Sequence, residues 1–302
     1  GFSIIMRGFA TIIAPVLFLM MVSCGGEETQ TTTESPEGVD STETVAQVID
    51  DHTLSNYQEV GVSHVHLNLE VDFVNEILKG SAVHTLNNSG NTDKIIFDTK
   101  KLNISKVEVD GKETPFEVGD EDELLGQTLT VAINDETKSV EIFYETTKET
   151  EALDWVDPQL TLGKIHPYVF TQGQSILTRT WIPIQDTPGQ RITYSADIKV
   201  PAELLAVMSA DNPTQKNELG QYHFEMTNPV PCYLMALAVG NLEFAAIDER
   251  TGVYTEPEMI EACAYEFADM GTMVTKAEAL YGPYLWDRYD VIVLPPSFPF
   301  GG

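Results

Sequence analysis

The sequence predicts a mainly β protein whose central part is an antiparallel sandwich or a saddle-shaped sheet. Between residues 61 and 240, apolar residues recur at every second position, as Val65, Leu67 and Leu69 do. This is the period of a half-buried strand. The pair Asp110-Gly111 links the runs 104–109 and 114–118 and predicts a hairpin between them. Many short strands at this spacing, with no detectable repeat, favour a sandwich or saddle.

The strand candidates share this alternation and are bounded by turn-forming residues. They cover residues 65–73, 94–98, 104–109, 114–118, 128–133, 139–144, 168–174, 191–200, 205–210, 222–226 and 232–239. Gln172 and Gln174 are two residues apart in the run 168–174. On a strand, their side chains would therefore project from one face.

The apolar period changes to that of a helix after residue 255. Thr255-Glu-Pro-Glu258 fits a capping box with proline in the first turn. Apolar residues then recur at helical spacing up to Tyr281, and Gly282-Pro283 should stop the helix. A strand over 289–294 follows. This pattern predicts the start of a second, mixed domain that the remaining residues are too few to complete.

Charge limits the classes of partner. The 302 residues carry a formal net charge of −30, from 17 Lys and Arg against 47 Asp and Glu. We expect no nucleic-acid partner, because no basic stripe is available to neutralise phosphates. The acidic residues are scattered as well as clustered, so they indicate solubility or a saline habitat rather than a cationic substrate.

The N-terminal residues predict export. Arg7 precedes an apolar run over 8–22 that has the length of a signal peptide and is short for a membrane span. The run ends in Met21-Val22-Ser23-Cys24, which resembles a bacterial lipobox, whose cysteine becomes the lipidated first residue. We therefore predict a signal peptide over 1–23 and a lipid anchor at Cys24. The protein would lie in the bacterial cell envelope, on its periplasmic or cell-surface face. An ordinary signal peptide with an incidental cysteine is the alternative.

Residues 24–58 predict a disordered tether, since this acidic, Thr- and Ser-rich stretch can bury little apolar surface. The β domain would then occupy 59–241, and the incomplete second domain 242–302. Cys232 and Cys263 lie in apolar surroundings without a metal-like spacing, so we expect buried free thiols.

The sequence carries no visible catalytic constellation. None of the six histidines belongs to a His-Glu-x-x-His motif, and no Gly-x-Ser-x-Gly elbow, Walker loop or dinucleotide fingerprint is present. His64 and His66 share one strand face, but no third ligand is evident, so we expect two solvated strand histidines. We predict no catalytic residue and no metal ligand among these 302 residues.

Six short motifs stand in order between residues 166 and 302. They are His166-Pro-Tyr-Val-Phe-Thr-Gln-Gly-Gln174, Trp181-Ile-Pro-Ile-Gln-Asp-Thr-Pro188, Val230-Pro-Cys-Tyr-Leu-Met-Ala-Leu-Ala-Val-Gly240, Ala264-Tyr-Glu-Phe267, Gly282-Pro-Tyr284 and Leu294-Pro-Pro-Ser-Phe-Pro-Phe-Gly-Gly302. In this order they resemble the zinc aminopeptidase family of aminopeptidase N and leukotriene hydrolase, the gluzincins. The leukotriene-hydrolase-like branch fits best, and the resemblance covers roughly residues 61–302. The last motif resembles the Gly-x-Met-Glu-Asn segment of the family, cut after its second glycine.

The resemblance implies an N-terminal β domain followed by the truncated start of an α+β, thermolysin-like catalytic domain. It also implies an intact enzyme that removes N-terminal residues from peptides. Water would attack a zinc-polarised carbonyl, with a glutamate as general base. The zinc ligands would lie beyond residue 302, so we expect neither activity nor bound zinc in this piece alone.

Two stretches acquire a substrate-binding role through the resemblance. Gln172, Gly173 and Gln174 would reach into the active-site cleft and hold the N-terminal end of the peptide. Many aminopeptidases have glutamate at the position of Gln174, whereas the leukotriene-hydrolase branch also has glutamine. From the residues alone, two structural glutamines are the alternative.

The second stretch is Pro299, Phe300, Gly301 and Gly302. Its glycine backbone would line the cleft and approach the substrate closely. Phe300 stands where the leukotriene hydrolase has tyrosine, so this position lacks the hydroxyl. A simple strand-to-strand turn is the alternative for this loop.

Two other functions stay open at this point. One is a non-catalytic surface lipoprotein whose β-sandwich binds peptides or glycans. The other keeps the zinc domain but makes epoxide hydrolysis the main activity. The residues give no preferred N-terminal residue of the substrate and no oligomeric state.

Overall fold

A computed structural model describes residues 50–88 and 92–298. The predicted signal peptide, the lipidation site Cys24, most of the predicted tether and the loop from Pro299 to Gly302 lie outside the described residues. In the described part of the chain, no helix is long and apolar enough to cross a membrane.

The described chain consists mainly of strands. In order, the elements are β1 (Gly61–Asp72), β2 (Ile77–Asn87), β3 (Lys94–Thr99), β4 (Leu102–Val109), β5 (Lys112–Glu113), β6 (Phe116–Val118), β7 (Gln127–Ala132), β8 (Ser139–Thr146), β9 (Leu153–Val156), β10 (Tyr168–Thr171), β11 (Ile192–Lys199), β12 (Leu205–Met208), β13 (Gln221–Val230), β14 (Leu237–Gly240), β15 (Glu243–Ala246), β16 (Thr251–Thr255), α1 (Ile260–Glu266), α2 (Met270–Tyr281) and β17 (Tyr289–Ile292). Short 3₁₀ turns lie at Pro158–Leu160, Thr178–Thr180, Cys232–Leu234 and Pro257–Met259.

These strands form four sheets. The largest has the order β13-β11-β1-β2-β8-β4-β5, and the others are β12-β14-β10-β9, β3-β7-β6 and β15-β16-β17. Neighbouring strands are antiparallel, except that β1 runs parallel to β11 and β16 parallel to β17. The predicted mainly β architecture of several antiparallel sheets is confirmed.

One continuous apolar core joins the large sheet to the smaller sheets. Val65, Leu67 and Leu69 of β1 lie in it together with Phe97 of β3 and Val239 of β14. The period of two therefore predicted the buried face of β1 correctly, because successive side chains of a strand point to opposite faces.

Strand β2 is the main element that the sequence analysis missed, although it lies between β1 and β8. Its inward residues are Leu78, Ala82 and His84 rather than a run of β-branched side chains. Gly80 stands within the strand, with a φ of +149°, and has no side chain to mark either face. The strand thus lacks the clear alternation on which the other predictions depended.

The predicted hairpin at Asp110-Gly111 is confirmed, with φ values of +48° and +75° at the two turn residues. Its second strand is only β5, however. The following strand β6 leaves the large sheet and pairs with β7. Thr114 N still donates to Val107 O of β4 at 2.9 Å, but the prediction that the whole run 114–118 pairs with β4 is wrong.

The long helix predicted from residue 255 is also corrected. Thr255 ends β16 and does not cap a helix, and the helical segment begins with a 3₁₀ turn at Pro257–Met259. A short turn around Phe267, closed by the bond from Met270 N to Phe267 O, separates α1 from α2. The helix ends before Gly282, whose φ is +94°, as predicted.

The end of the predicted tether is fixed to β3 and its neighbourhood. Thr53 Oγ1 donates to Asp98 Oδ2 at 2.5 Å, Leu54 N donates to Asp98 Oδ1 at 2.7 Å, and Ile96 N donates to Asn56 Oδ1 at 2.8 Å. The stretch 50–58 therefore belongs to the folded domain, because a buried carboxylate binds its backbone.

Candidate substrate-binding site

The glutamine pair predicted to bind substrate lies in a turn and not on a strand. Strand β10 ends at Thr171, and the bond from Gln172 N to Ala152 O, 2.8 Å long, is the last one to the neighbouring β9 segment. The chain then turns, because Leu177 N donates to Gly173 O at 2.9 Å. The prediction that Gln172 and Gln174 share one strand face is therefore wrong.

Both glutamines remain exposed at this turn. Gln174 N donates to Oε1 of Gln172 at 3.1 Å, so the first side chain folds back over the turn. An amide side chain carries both donors and an acceptor, which suits it to peptide ligands. The two residues are brought together on the surface, but in a geometry set by the turn.

Gly173 is buried between the two exposed glutamines. A Cβ atom on this residue would lie 2.8 Å from the carbonyl oxygen of Tyr233 and 3.0 Å from Oγ1 of Thr178. These two distances leave no room for a side chain at residue 173. Glycine is therefore required where this turn packs against the Cys232–Leu234 turn.

A fully buried arginine supports the segment that follows. Arg179 Nε donates to Asp186 Oδ2 at 3.1 Å, and its terminal nitrogens donate to the carbonyl oxygens of Leu125 and His52 at 2.8 and 2.6 Å. Its side chain is 0% exposed. Buried charges persist when they are paired and hydrogen-bonded, as this guanidinium is. The sequence analysis did not identify Arg179, although it adjoins two of the recognised motifs.

Two buried carboxylates surround this arginine. Asp98 Oδ1 lies 3.7 Å from Arg179 Nη1. Burial raises the pKa of Asp98, while Arg179 and hydrogen bonds to the carboxylate oppose that shift. Asp186 also accepts a hydrogen bond from Cys232 Sγ at 3.1 Å. The predicted buried free thiols are confirmed for Cys232 and Cys263, and burial raises the pKa of Cys232.

The second predicted stretch, Pro299, Phe300, Gly301 and Gly302, lies outside the described residues. The segment that leads to it is described and packs on the core through Leu294 and Phe298. The ring of Phe298 meets that of Phe170 at a centroid separation of 5.6 Å. Phe170 belongs to β10, so this segment comes to the same strand that leads into the glutamine turn.

A cavity of about 270 Å³ lies beside this strand. It separates the four-stranded sheet from the sheet formed by β15, β16 and β17. Phe170 and Thr171 line one side, and Tyr254, Ile292 and Leu294 line the other. The sequence analysis missed it because its lining comes from several separate segments of the chain, from Phe170 to Leu294.

The histidine pair on β1 is engaged by β11. His64 donates to or accepts from Thr193 Oγ1 and Ser195 Oγ at 2.8 and 2.9 Å, and His66 Nδ1 contacts Ser195 Oγ at 2.7 Å. The rings are half-buried rather than freely solvated. Burial lowers the pKa of His64. Within residues 50–88 and 92–298, no group of three or more His, Cys, Asp or Glu residues could hold a metal ion.

The family model and the sequence relatives that match this chain point to one family of proteins. The family model of the peptidase M1 N-terminal domain matches residues 55–234. The leukotriene A-4 hydrolase of Xenopus laevis is 38% identical over 264 residues, which cover 84% of this chain and 43% of that protein. Leucine aminopeptidase 2 of Yarrowia lipolytica is 37% identical over 257 residues, which cover 84% and 39%. The chain thus spans about two fifths of the length of these relatives.

Solved structures agree with the sequence relatives. Native yeast LTA4 hydrolase superposes with a TM-score of 0.81 at 34% identity, over 86% of this chain and 41% of that one. An M1 zinc metallopeptidase from Deinococcus radiodurans gives a TM-score of 0.63 at 21% identity, over 78% and 57%. The second likeness concerns the fold alone.

Proposed function

This chain belongs to the peptidase M1 family through its N-terminal domain, and on this premise we propose that it is the N-terminal part of a zinc-dependent aminopeptidase. The observation that carries the proposal is the exposed turn with Gln172 and Gln174, in a chain similar to leucine aminopeptidases. Its substrates would be peptides with a free N-terminus.

The role of this chain in such an enzyme is to bind the end of the peptide. The carbonyl oxygens of the two glutamine side chains can accept hydrogen bonds from an α-ammonium group, without supplying a counter-charge. The buried Gly173 and the packing behind it fix where those amides emerge. Strand β10, which leads into this turn, also lines the cavity and contacts the segment ending at Phe298.

The residues described here do not fit a zinc site. The sequence holds no His-Glu-x-x-His motif. The two histidines that share a strand face, His64 and His66, are hydrogen-bonded to Thr193 and Ser195. We therefore assign no step at the metal to this chain. Zinc ligands and general base would come from a part of the protein beyond these residues.

The test measures hydrolysis of leucyl-p-nitroanilide by the full-length gene product, before and after dialysis against a chelator. We expect cleavage that the chelator abolishes and added zinc restores. Gln172→Ala and Gln174→Ala should each raise KM, whereas Gln221→Ala, an exposed glutamine at the edge strand β13, should not. Absent or chelator-insensitive cleavage would refute the proposal.

We also propose that the protein is a lipid-anchored protein of the bacterial cell envelope, with the lipid on Cys24. The support is the sequence Met21-Val22-Ser23-Cys24 after an apolar run. Cells expressing the wild type should incorporate labelled palmitate into the protein and retain it in the membrane fraction. Cys24→Ser should lose the label, while Cys263→Ser, a buried thiol of the folded domain, should keep it. Equal labelling of both variants would refute the anchor.

A further inference from the structure

One buried hydroxyl connects strand β9 to the turn that carries the two glutamines. Thr180 Oγ1 donates to the carbonyl oxygen of Leu177 at 2.7 Å and accepts from the backbone N–H of Ala152 at 3.0 Å. The Thr180 side chain is 1% exposed, and Ala152 is 0% exposed. Both hydrogen-bonding functions of this hydroxyl are therefore used inside the protein, away from water.

The two partners of Thr180 are each hydrogen-bonded to the backbone of the glutamine turn. Ala152 O accepts the 2.8 Å bond from Gln172 N, and Leu177 N donates the 2.9 Å bond to Gly173 O. Four hydrogen bonds thus run from one hydroxyl through Ala152 to the start of the turn and through Leu177 to its middle. Thr180 itself contacts neither glutamine side chain.

We propose that Thr180 is a positioning residue for the N-terminal end of the peptide substrate, acting through the turn of Gln172 and Gln174. This inference rests on the proposed aminopeptidase function. Removing the hydroxyl leaves the buried Ala152 N–H without its acceptor, which is the costly case for a hydrogen bond. The turn can then leave the position in which its amides meet the substrate.

Thr180, which lies in the 3₁₀ turn Thr178–Thr180, has a matched control in the large sheet. Thr146 of β8 is also 1% exposed, and its Oγ1 likewise accepts from a backbone N–H, that of Leu78, at 2.9 Å. Thr180→Val and Thr146→Val make the same chemical change at equal burial. A merely structural role for Thr180 would give both variants the same effect on stability and on activity.

The experiment compares steady-state kinetics of the full-length enzyme and its variants on leucyl-p-nitroanilide. For Thr180→Val we expect KM to rise about five- to tenfold, the effect of losing about one hydrogen bond, with kcat nearly unchanged. Thr180→Ser should restore the wild-type KM, and Thr146→Val should lower thermal stability without changing KM. An unchanged KM in Thr180→Val, or an equal rise in Thr146→Val, would overturn the inference.

A second measurement separates this inference from the proposed function. If the wild-type protein cleaves no anilide, the proposed function fails, and hydrogen exchange of the segment 171–178 tests the positioning. Faster exchange in Thr180→Val than in Thr146→Val supports it, and equal exchange contradicts it. Should the valine variant not fold, Thr180→Ser and Thr180→Ala, which differ by the hydroxyl alone, provide the same comparison.

Discussion

The ring of Phe298 packs edge-on against the ring of Phe170, with centroids 5.6 Å apart and planes inclined by 75°. Phe170 lies in β10, two residues before Gln172, and Phe298 lies in the segment that follows β17. This contact joins the C-terminal segment to the strand that leads into the glutamine turn. A residue close to each of the two predicted substrate-binding stretches therefore takes part in one ring contact.

Replacing Phe298 should therefore weaken both stability and substrate binding. In the full-length protein, Phe298→Ala should lower the free energy of unfolding by at least about 1 kcal/mol, because the aromatic pair is lost together with the packing of the ring on the core. It should also raise KM for leucyl-p-nitroanilide. Phe116→Ala, which removes a half-buried ring on β6 that also packs on the core, should change stability but not KM. Equal effects of the two variants on KM would contradict the role assigned to the contact.

Gly173→Ala should disturb the same turn from within. The new methyl group would lie 2.8 Å from the backbone oxygen of Tyr233, which cannot move without the chain. Overpacking of this kind costs about 1–3 kcal/mol, and we expect reduced stability together with a raised KM. At Gly163 the corresponding atom would meet the end of the Glu258 side chain at 2.8 Å, which can rotate away. Gly163→Ala should accordingly be tolerated, and urea denaturation with kinetics on both variants checks the difference.

Much of the fold could be predicted from local patterns, because a strand buried on one face leaves a period of two. Val65, Leu67 and Leu69 have that period and are buried as expected. Strand β2 has no such signal, since its buried positions include His84 and since Gly80 has no side chain to mark a face. Its place is determined by pairing with β1, which directly precedes it, and with β8, which lies more than 50 residues further along the chain.

The sequence identified the residues of the candidate site but did not predict the turn in which they lie. Gln172 and Gln174 were identified by resemblance, whereas the hydrogen bond from Leu177 to Gly173 that turns the chain leaves no mark in the sequence. Arg179 and Thr180 were missed for a similar reason. Their importance comes from partners up to 127 residues away, and a single arginine or threonine carries no pattern that shows it to be buried.

Arg179→Met should destabilise the protein strongly. It would leave the buried carboxylates of Asp98 and Asp186 without their cation, and breaking a buried pair in this way costs about 3–5 kcal/mol. Burial raises the pKa of Asp98, and without the guanidinium, which opposes this effect, that pKa would rise further. A raised carboxyl pKa favours the folded state at low pH and disfavours it as the pH rises. The difference in the free energy of unfolding between the wild type and Arg179→Met should therefore be smaller at pH 5 than at pH 7. Urea unfolding at the two pH values measures it.

An exposed arginine provides the control for this measurement. Arg250 pairs with Glu278 at 2.9 Å on the surface, where an ion pair contributes little. Arg250→Met should change the free energy of unfolding only slightly at either pH. If Arg179→Met lost the same unfolding free energy at both pH values, this would contradict the stabilisation of the buried carboxylates by Arg179.

His84 should make the stability of the β domain depend on pH. Its ring is fully buried against Phe97, with centroids 4.6 Å apart, and burial lowers its pKa to about 3. In the unfolded chain the imidazole would titrate near its usual value of about 6.5. Between about pH 6.5 and pH 3, the imidazole is protonated in the unfolded chain but stays neutral in the folded protein. This one group should therefore reduce stability by about 1.4 kcal/mol for each pH unit between about 6.5 and 3.

His84→Leu removes this titration while keeping an apolar side chain. Relative to the wild type, the variant should gain stability as the pH falls from about 6.5 towards 4, because it has no imidazole to protonate in the unfolded chain. His52→Leu, at a ring whose side chain is 68% exposed, should retain the wild-type slope. Urea denaturation at pH 4, 5, 6 and 7 distinguishes these outcomes, and parallel pH profiles of the wild type and His84→Leu would show that His84 is not the source of the dependence.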